Sequence, residues 1–242
     1  LMLRDVKLRY RQTFFGIAWA ILQPLAASAI FAVVFGRLAK VPSDGIPYPV
    51  FVYAGLVVWT LFSTGLQQAS QSLVEQADIV TKVYFPRMLA PLAAACASLV
   101  DLPGSLLILA VLIALYGISP GAPVLLLPVW IVTSLLAAVG SGLWLSALNV
   151  KYRDVRYALP FLIQVWLFAS PVVYSGSVFR GAWRYVFALN PMVGVIDGFR
   201  WSMLGGPVPG IKDFISLAVL LLLLVAGALY FQRTERAMAD VI

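Results

Sequence analysis

Six apolar runs, each long enough or nearly so to cross a bilayer, constrain this chain more than any other feature. They are Ile17 to Phe35, Val50 to Ser72, Met88 to Tyr116, Ala122 to Leu148, Tyr157 to Tyr174 and Phe214 to Phe231. A helix rises about 1.5 Å per residue, so about 20 apolar residues cover a hydrocarbon layer of roughly 30 Å. The fifth run is marginal by that measure. Of the 242 residues, 62% are hydrophobic and only 11% charged, against roughly 45–50% apolar in a soluble domain. The expectation is an all-α integral membrane protein with six transmembrane helices in one transmembrane domain, residues 1–242. The first run exceeds the short apolar core of a signal peptide and is expected to remain as a span.

Positive charge orients such a chain, because cytoplasmic loops are enriched in Lys and Arg. With the N-terminus inside, the inner segments hold Arg4, Lys7, Arg9, Arg11, Lys82, Arg87, Lys151, Arg153, Arg156, Arg233 and Arg236, eleven of seventeen basic residues. The outer segments hold Arg37, Lys40, Arg180, Arg184, Arg200 and Lys212. Both termini are therefore expected in the cytoplasm. The net charge of +7 reads as a topology signal and calls for no nucleic-acid partner.

The N-terminal segment is itself patterned. On a helix, Leu3, Val6, Tyr10, Thr13, Phe14 and Ile17 fall within one arc of roughly 100°. Arg4, Asp5, Lys7, Arg9, Arg11 and Gln12 occupy the remainder, with Leu8 and Phe15 crossing the division. An apolar stripe flanked by cations suits a helix lying in the membrane interface, residues 1–16, in contact with lipid phosphates or an acidic partner surface. A basic flank that merely orients the first span is the alternative.

Two connections stand apart. Residues 73–87 hold Val74, Ile79, Val80, Val83 and Tyr84 among Glu75, Asp78 and Lys82, a pattern for a short amphipathic helix stopped by Pro86. Such a helix can dock in another protein's groove; a plain interhelical loop is the other reading. Residues 175–213 are too few for two spans with turns, yet carry apolar pieces at Trp183 to Leu189 and Met192 to Leu204, divided by Asn190-Pro191. Either they form re-entrant half-helices, which must pack in protein or line a wet cavity, or they lie as an amphipathic loop on the outer surface.

Little in the chain supports chemistry. There is no histidine, one cysteine (Cys96), and no Gly-x-x-x-x-Gly-Lys-Ser/Thr loop. No catalytic set, metal site or nucleotide cradle is expected, and any ATP must be used by a partner. Asp197 and Arg200, spaced i, i+3, most simply pair with each other. Asp101 lies mid-span, where a carboxylate must face protein or water; it reads either as a proton or substrate site or as a partner for backbone groups freed near Pro103 and Gly104. The aromatics within the spans include Trp19, Tyr53, Trp59, Trp166, Phe168 and Tyr174, which either pack the core or line a passage where rings stack on sugars.

Four stretches resemble one family, the membrane subunits of type-2 ABC exporters that move O-antigen, capsular polysaccharide or teichoic acid. They are Arg4 to Arg11 with Gly16-Ile17-Ala18-Trp19 through Pro24; Val80-Thr81-Lys82-Val83-Tyr84-Phe85-Pro86-Arg87; Arg153-Asp154-Val155 followed by Gln164 and Ser170-Pro171-Val172-Val173-Tyr174; and Leu189-Asn190-Pro191 with Arg200. They appear in the family's order between the apolar runs. The resemblance implies an N-terminal interface helix and a coupling helix within residues 75–87. It also implies re-entrant gate helices before the sixth span.

It further implies a homodimer in the bacterial cytoplasmic (inner) membrane, with two copies of a separate ATPase binding ATP and magnesium, and a path for a lipid-linked glycan. No cofactor belongs to this chain in that picture. Coupling would fall to Ile79, Val80, Lys82, Val83, Tyr84, Phe85 and Arg87, with Arg153 and Asp154 as a second contact. Arg4, Lys7, Arg9 and Arg11 would sit on the interface helix beside membrane lipids, and Asn190, Pro191 and Arg200 at the outer gate. The six aromatics named above are the expected path lining. Two other functions fit the residues less well: export of a drug or simple lipid by the same machine, and a membrane enzyme acting on polyprenyl-linked sugars.

Overall fold

The computed structural model describes residues 16–75, 86–152, 154–179 and 181–238, with side chains from Leu22 to Glu235 within those ranges. The expected interface helix and most of the expected coupling helix lie outside the described residues.

Helix α1 (Gly16–Phe31) runs into a π-helical stretch, Ala32–Leu38. Then come α2 (Tyr48–Glu75), α3 (Leu89–Ala97) and α4 (Leu102–Leu115), the last two separated by a 3-10 turn at Ser98–Val100. A 3-10 turn, Ala122–Leu126, leads into α5 (Leu127–Lys151), followed by α6 (Val155–Phe168). After a short 3-10 turn at Gly176–Val178 come α7 (Trp183–Phe187), α8 (Met192–Leu204) and α9 (Ile211–Met238). No strand occurs among the described residues.

Four stretches are long and apolar enough to cross a membrane: Tyr48–Glu75, Leu89–Leu115, Ala122–Lys151 and Ile211–Glu235. Leu22–Leu38 and Val155–Phe168 are shorter apolar helices. The fifth apolar run, expected to reach Tyr174, is helical only to Phe168. Pro171 lies just beyond, and a proline disfavours helical backbone in the residue before it. The third run is also interrupted, at Ser98–Val100. Pro103 opens α4, where a missing N–H costs least. The hydroxyls of Ser98 and Ser105 donate to the carbonyls of Ala95 (2.7 Å) and Asp101 (3.3 Å) around the break.

Helix α2 is the centre of the bundle, packed by α5, α3, α8 and α1. The α5 side is pinned by Ser134 Oγ donating to the Val58 carbonyl (3.2 Å) and Asn149 Nδ2 donating to the Ser70 carbonyl (3.0 Å). Against α5 lies α9, brought close by Gly140 and Gly227. A Cβ added at Gly140 would sit 2.7 Å from Leu224 Cα, and one at Gly227 would run into the Gly140 carbonyl. Close backbone approach through small residues drives helix association where lipid removes the hydrophobic gain. The antiparallel bundle has two ends. One holds the 36–47 loop and residues 170–179 and 181–213, and the other holds Arg87 and the C-terminal turns of α2, α5 and α9.

Candidate functional site

At the loop-bearing end, the chain between α6 and α9 is organised around two side chains, Asn190 and Arg200. Asn190 ends the α7 segment just before Pro191, which caps α8. Its Oδ1 accepts from the Met192 amide (3.0 Å) and from Trp166 Nε1 on α6 (3.0 Å). Its Nδ2 donates to the Ala169 carbonyl and to Ser170 Oγ, both at 2.9 Å. Ser216 of α9 donates to the Asn190 carbonyl (2.7 Å) and accepts from the Gly194 amide (2.9 Å). The side-chain amide thus joins α6 to α8, and the backbone carbonyl of the same residue ties in α9.

Arg200, on α8, is 3% exposed. Its guanidinium donates to the carbonyls of Phe51 (3.1 Å), Pro171 and Val172 (2.6 Å), and lies 3.5 Å over the Phe51 ring. Room exists because residue 55 is glycine: a Cβ there would approach Arg200 Nη2 to 2.6 Å. Burial pulls the guanidinium pKa down to about 10, opposed by the charges of Asp197 and Asp44, so it stays protonated at neutral pH. Arg200 therefore clamps α8 to the first turn of α2 and to the segment leaving α6. Tyr48 adds a parallel tie, its hydroxyl donating to the Val173 carbonyl (2.6 Å).

The i, i+3 pair expected between Asp197 and Arg200 does not form. Arg200 is occupied by backbone carbonyls, and Asp197 pairs with Lys212 at 2.6 Å. Asp213 caps its own helix by accepting from the Gly210 amide (2.7 Å), and Asp44 accepts from Ser175 and Ser177. Nothing in the local sequence pattern marks Asp44, Ser175, Ser177, Lys212, Asp213 and Ser216 as site residues. The one signal was positional: Lys212-Asp213 borders the last apolar run, and Asp44 stands in a loop with Pro and Gly.

The expected path aromatics separate. Tyr53 is wholly enclosed in the core, Trp59 is 5% exposed, and Phe168 is half exposed. Trp166 meets both Trp59 and Phe62 edge-to-face, with Phe62 and Trp166 centroids 5.0 Å apart, while Trp59 and Phe62 lie tilted against each other. Phe168 meets Phe31 of α1 edge-on. Tyr174 donates to the Phe168 carbonyl (2.9 Å) and packs against Phe179 and Phe187. Trp19 falls on α1 ahead of the described side chains. Asp101 is buried at the α3–α4 break, lining with Thr60, Thr64 and Ser98 a cavity of about 10 Å³, about the size of one water.

At the opposite end Arg87 is tied to α9, its amide donating to Glu235 Oε1 (3.3 Å) and Nη1 to the Glu235 carbonyl (2.9 Å). Asp154 precedes α6 without a side-chain capping bond. Ile79, Val80, Lys82, Val83, Tyr84, Phe85 and Arg153, with Arg4, Lys7, Arg9 and Arg11, lie outside the described residues. Among the described residues there is no group of acidic or cysteine side chains able to hold a metal.

A bundle with four helices long and apolar enough to cross a bilayer, whose polar side chains tie helix ends together, is the frame of an integral membrane protein. The chain belongs to the ABC-2 type transporter family, which matches residues 1–204. It is 30% identical over 240 residues to the O-antigen export system permease protein RfbA of Myxococcus xanthus, covering 97% of this chain and 91% of that protein. It is 23% identical over 242 residues to the permease of the same name from Klebsiella pneumoniae, covering 99% and 92%. With the polysialic acid transport protein KpsM of Escherichia coli it shares 25% identity over 246 residues, covering 97% and 92%.

Proposed function

We propose that this chain is the membrane subunit of an ATP-driven exporter that moves a lipid-linked polysaccharide across the bacterial cytoplasmic membrane. The observation that carries the reading is end-to-end similarity to permeases named for O-antigen and polysialic acid transport. It agrees with a chain whose sequence holds no nucleotide-binding loop, so that ATP and magnesium belong to a partner ATPase.

In this reading the functional unit is a homodimer with two ATPase copies. Each protomer contributes six spans, the two shorter apolar helices among them, and both termini face the cytoplasm. Helices α7 and α8 are the re-entrant pair at the outer mouth. The segment 75–87 receives the ATPase's motion, and the bond from Arg87 to Glu235 hands it to α9. Arg4, Lys7, Arg9 and Arg11 place the interface helix beside lipid phosphates and the ATPase.

Co-purification from the source cell is expected to recover a separate ATPase whose turnover depends on this chain. Export of glycan with no ATPase present rejects the reading. For coupling, Val83→Pro is expected to abolish export while membrane insertion stays normal, because proline breaks a helix interior. Normal transport by that variant removes residues 79–87 from the coupling role.

A further inference from the structure

Two adjoining cavities at the loop-bearing end share Ser177, Val208, Lys212 and Asp213. The inner one, about 140 Å³, is bounded by Asp44, Ser175, Asp197 and Phe51. The outer one, about 410 Å³, is bounded by Phe179, Arg184, Gly181 and Gly210. Together they make one cleft with a polar floor and an aromatic wall.

The polar groups of this floor are of both kinds and nearly balanced in charge. Asp44, Asp197 and Asp213 face Lys212, Arg184 and the buried Arg200. Asp213 is 2% exposed, and its Oδ1 has no hydrogen-bond partner among the described residues. Lys212 Nζ lies 3.7 Å from that oxygen and already bonds Asp197 at 2.6 Å. An ammonium at that distance pairs with the oxygen electrostatically without a hydrogen bond, so Asp213 Oδ1 can still accept from a hydroxyl or N–H donor. On the wall, Phe179 stacks on Phe187 at 4.3 Å between centroids, which fixes its plane at the cleft's edge.

A site with matched carboxylates and cations holds no surplus charge for a pyrophosphate or a polyanion. Hydroxyls that both donate and accept, set on a ring with an apolar C–H face, satisfy all its parts. Resting on the proposed export of a glycan, we infer that this cleft binds neutral sugar residues of the transported polysaccharide. Hydroxyls donate to Asp213 Oδ1 and accept from Lys212 and Arg184, while a ring face lies against Phe179.

The test uses the full chain in lipid nanodiscs, titrated with short oligosaccharides released from the source cell's own surface polysaccharide. Binding is read by fluorescence of Trp183, which is 70% exposed beside Arg184, and by saturation-transfer NMR. Phe179→Ala and Asp213→Asn are each expected to weaken binding about tenfold or more. Asparagine keeps the acceptor that caps α9, so that variant retains its fold, and the exposed Arg184→Ala is expected to weaken binding severalfold with an unchanged thermal midpoint.

Inorganic pyrophosphate is expected not to compete. Unchanged oligosaccharide affinity in folded Asp213→Asn and Arg184→Ala, or competition by pyrophosphate, overturns the inference. Polysaccharide export by cells carrying the wild-type chain is scored in parallel. Export without oligosaccharide binding rejects the cleft and leaves the transport reading standing; no export in the presence of the ATPase rejects both.

Discussion

Helices α2 and α9 have the same length, 28 residues, and opposite surroundings. In α2, 78% of the most apolar window is buried within the chain, whereas in α9 the share is 22%. Yet α2 is the less apolar of the two, carrying Thr60, Ser63, Thr64, Gln67, Gln68 and Ser70. In water that ordering would be inverted. In a bilayer the outside is hydrocarbon, so the exposed helix must be the more apolar one, and hydroxyls are tolerated where neighbours satisfy them. In α2 they do: Ser63, Ser70 and Ser72 donate to carbonyls of their own helix, and Ser134 reaches in from α5.

The comparison predicts that α2 is intolerant of added volume. Gly55→Leu should have the largest effect, since even a Cβ would lie 2.6 Å from Arg200 Nη2 and 3.1 Å from the Val172 carbonyl. Overpacking costs about 1–3 kcal/mol, and each carbonyl stranded when the guanidinium leaves adds about 1–3 more. The expected outcome is little monodisperse protein in mild detergent, with a collapsed thermal midpoint. Wild-type recovery would mean that α2 and α8 are not locked together.

Arg200→Met keeps most of the volume and removes the donors. The carbonyls of Phe51, Pro171 and Val172 then lose their shared partner, an expected loss of roughly 3 kcal/mol by thermal unfolding in nanodiscs. Asn190→Ala should follow, at roughly 2 kcal/mol, because it frees the Trp166 indole and the Met192 amide while the Ser216 bond to the backbone survives. Asn190→Asp separates the two halves of the amide: it keeps the acceptor for Trp166 and Met192 and loses the donor to Ala169 and Ser170. If both variants are equally unstable, the Nδ2 side matters most.

Much of this architecture was legible. The apolar runs marked every long helix, and Asn190-Pro191 marked the division between α7 and α8. Proline punctuation works equally well in lipid and water, because it acts on the backbone. What stayed hidden was the partner of each polar residue. Spacing along one helix points Asp197 to Arg200, but Lys212, fifteen positions on, reaches it across a turn. Local periodicity contains no information on such contacts. Likewise nothing in its own sequence distinguished Tyr53, which is enclosed, from Phe168, which is half exposed, since both stand in apolar runs. Burial in a membrane bundle is set by which helix is central, and apolarity alone does not report that.

The smallest effect is expected on the outer face of α9, and it bears most directly on what surrounds that face. Leu221, Val225 and Leu229, spaced i, i+4, i+8, are all at least half exposed, and Leu222 beside them is 68% exposed. Where lipid is the neighbour, Leu222→Ala exchanges one hydrocarbon contact for another and should cost below ~1 kcal/mol. Leu66→Ala, on α2 and fully buried, opens a cavity and should cost about 2–5 kcal/mol. Measured side by side in nanodiscs, the two should differ severalfold. Equal costs would mean that α9 is covered by protein in the membrane. Because a single chain leaves that face bare, the cover would then be another subunit, and a matching stripe on it should show the same sensitivity.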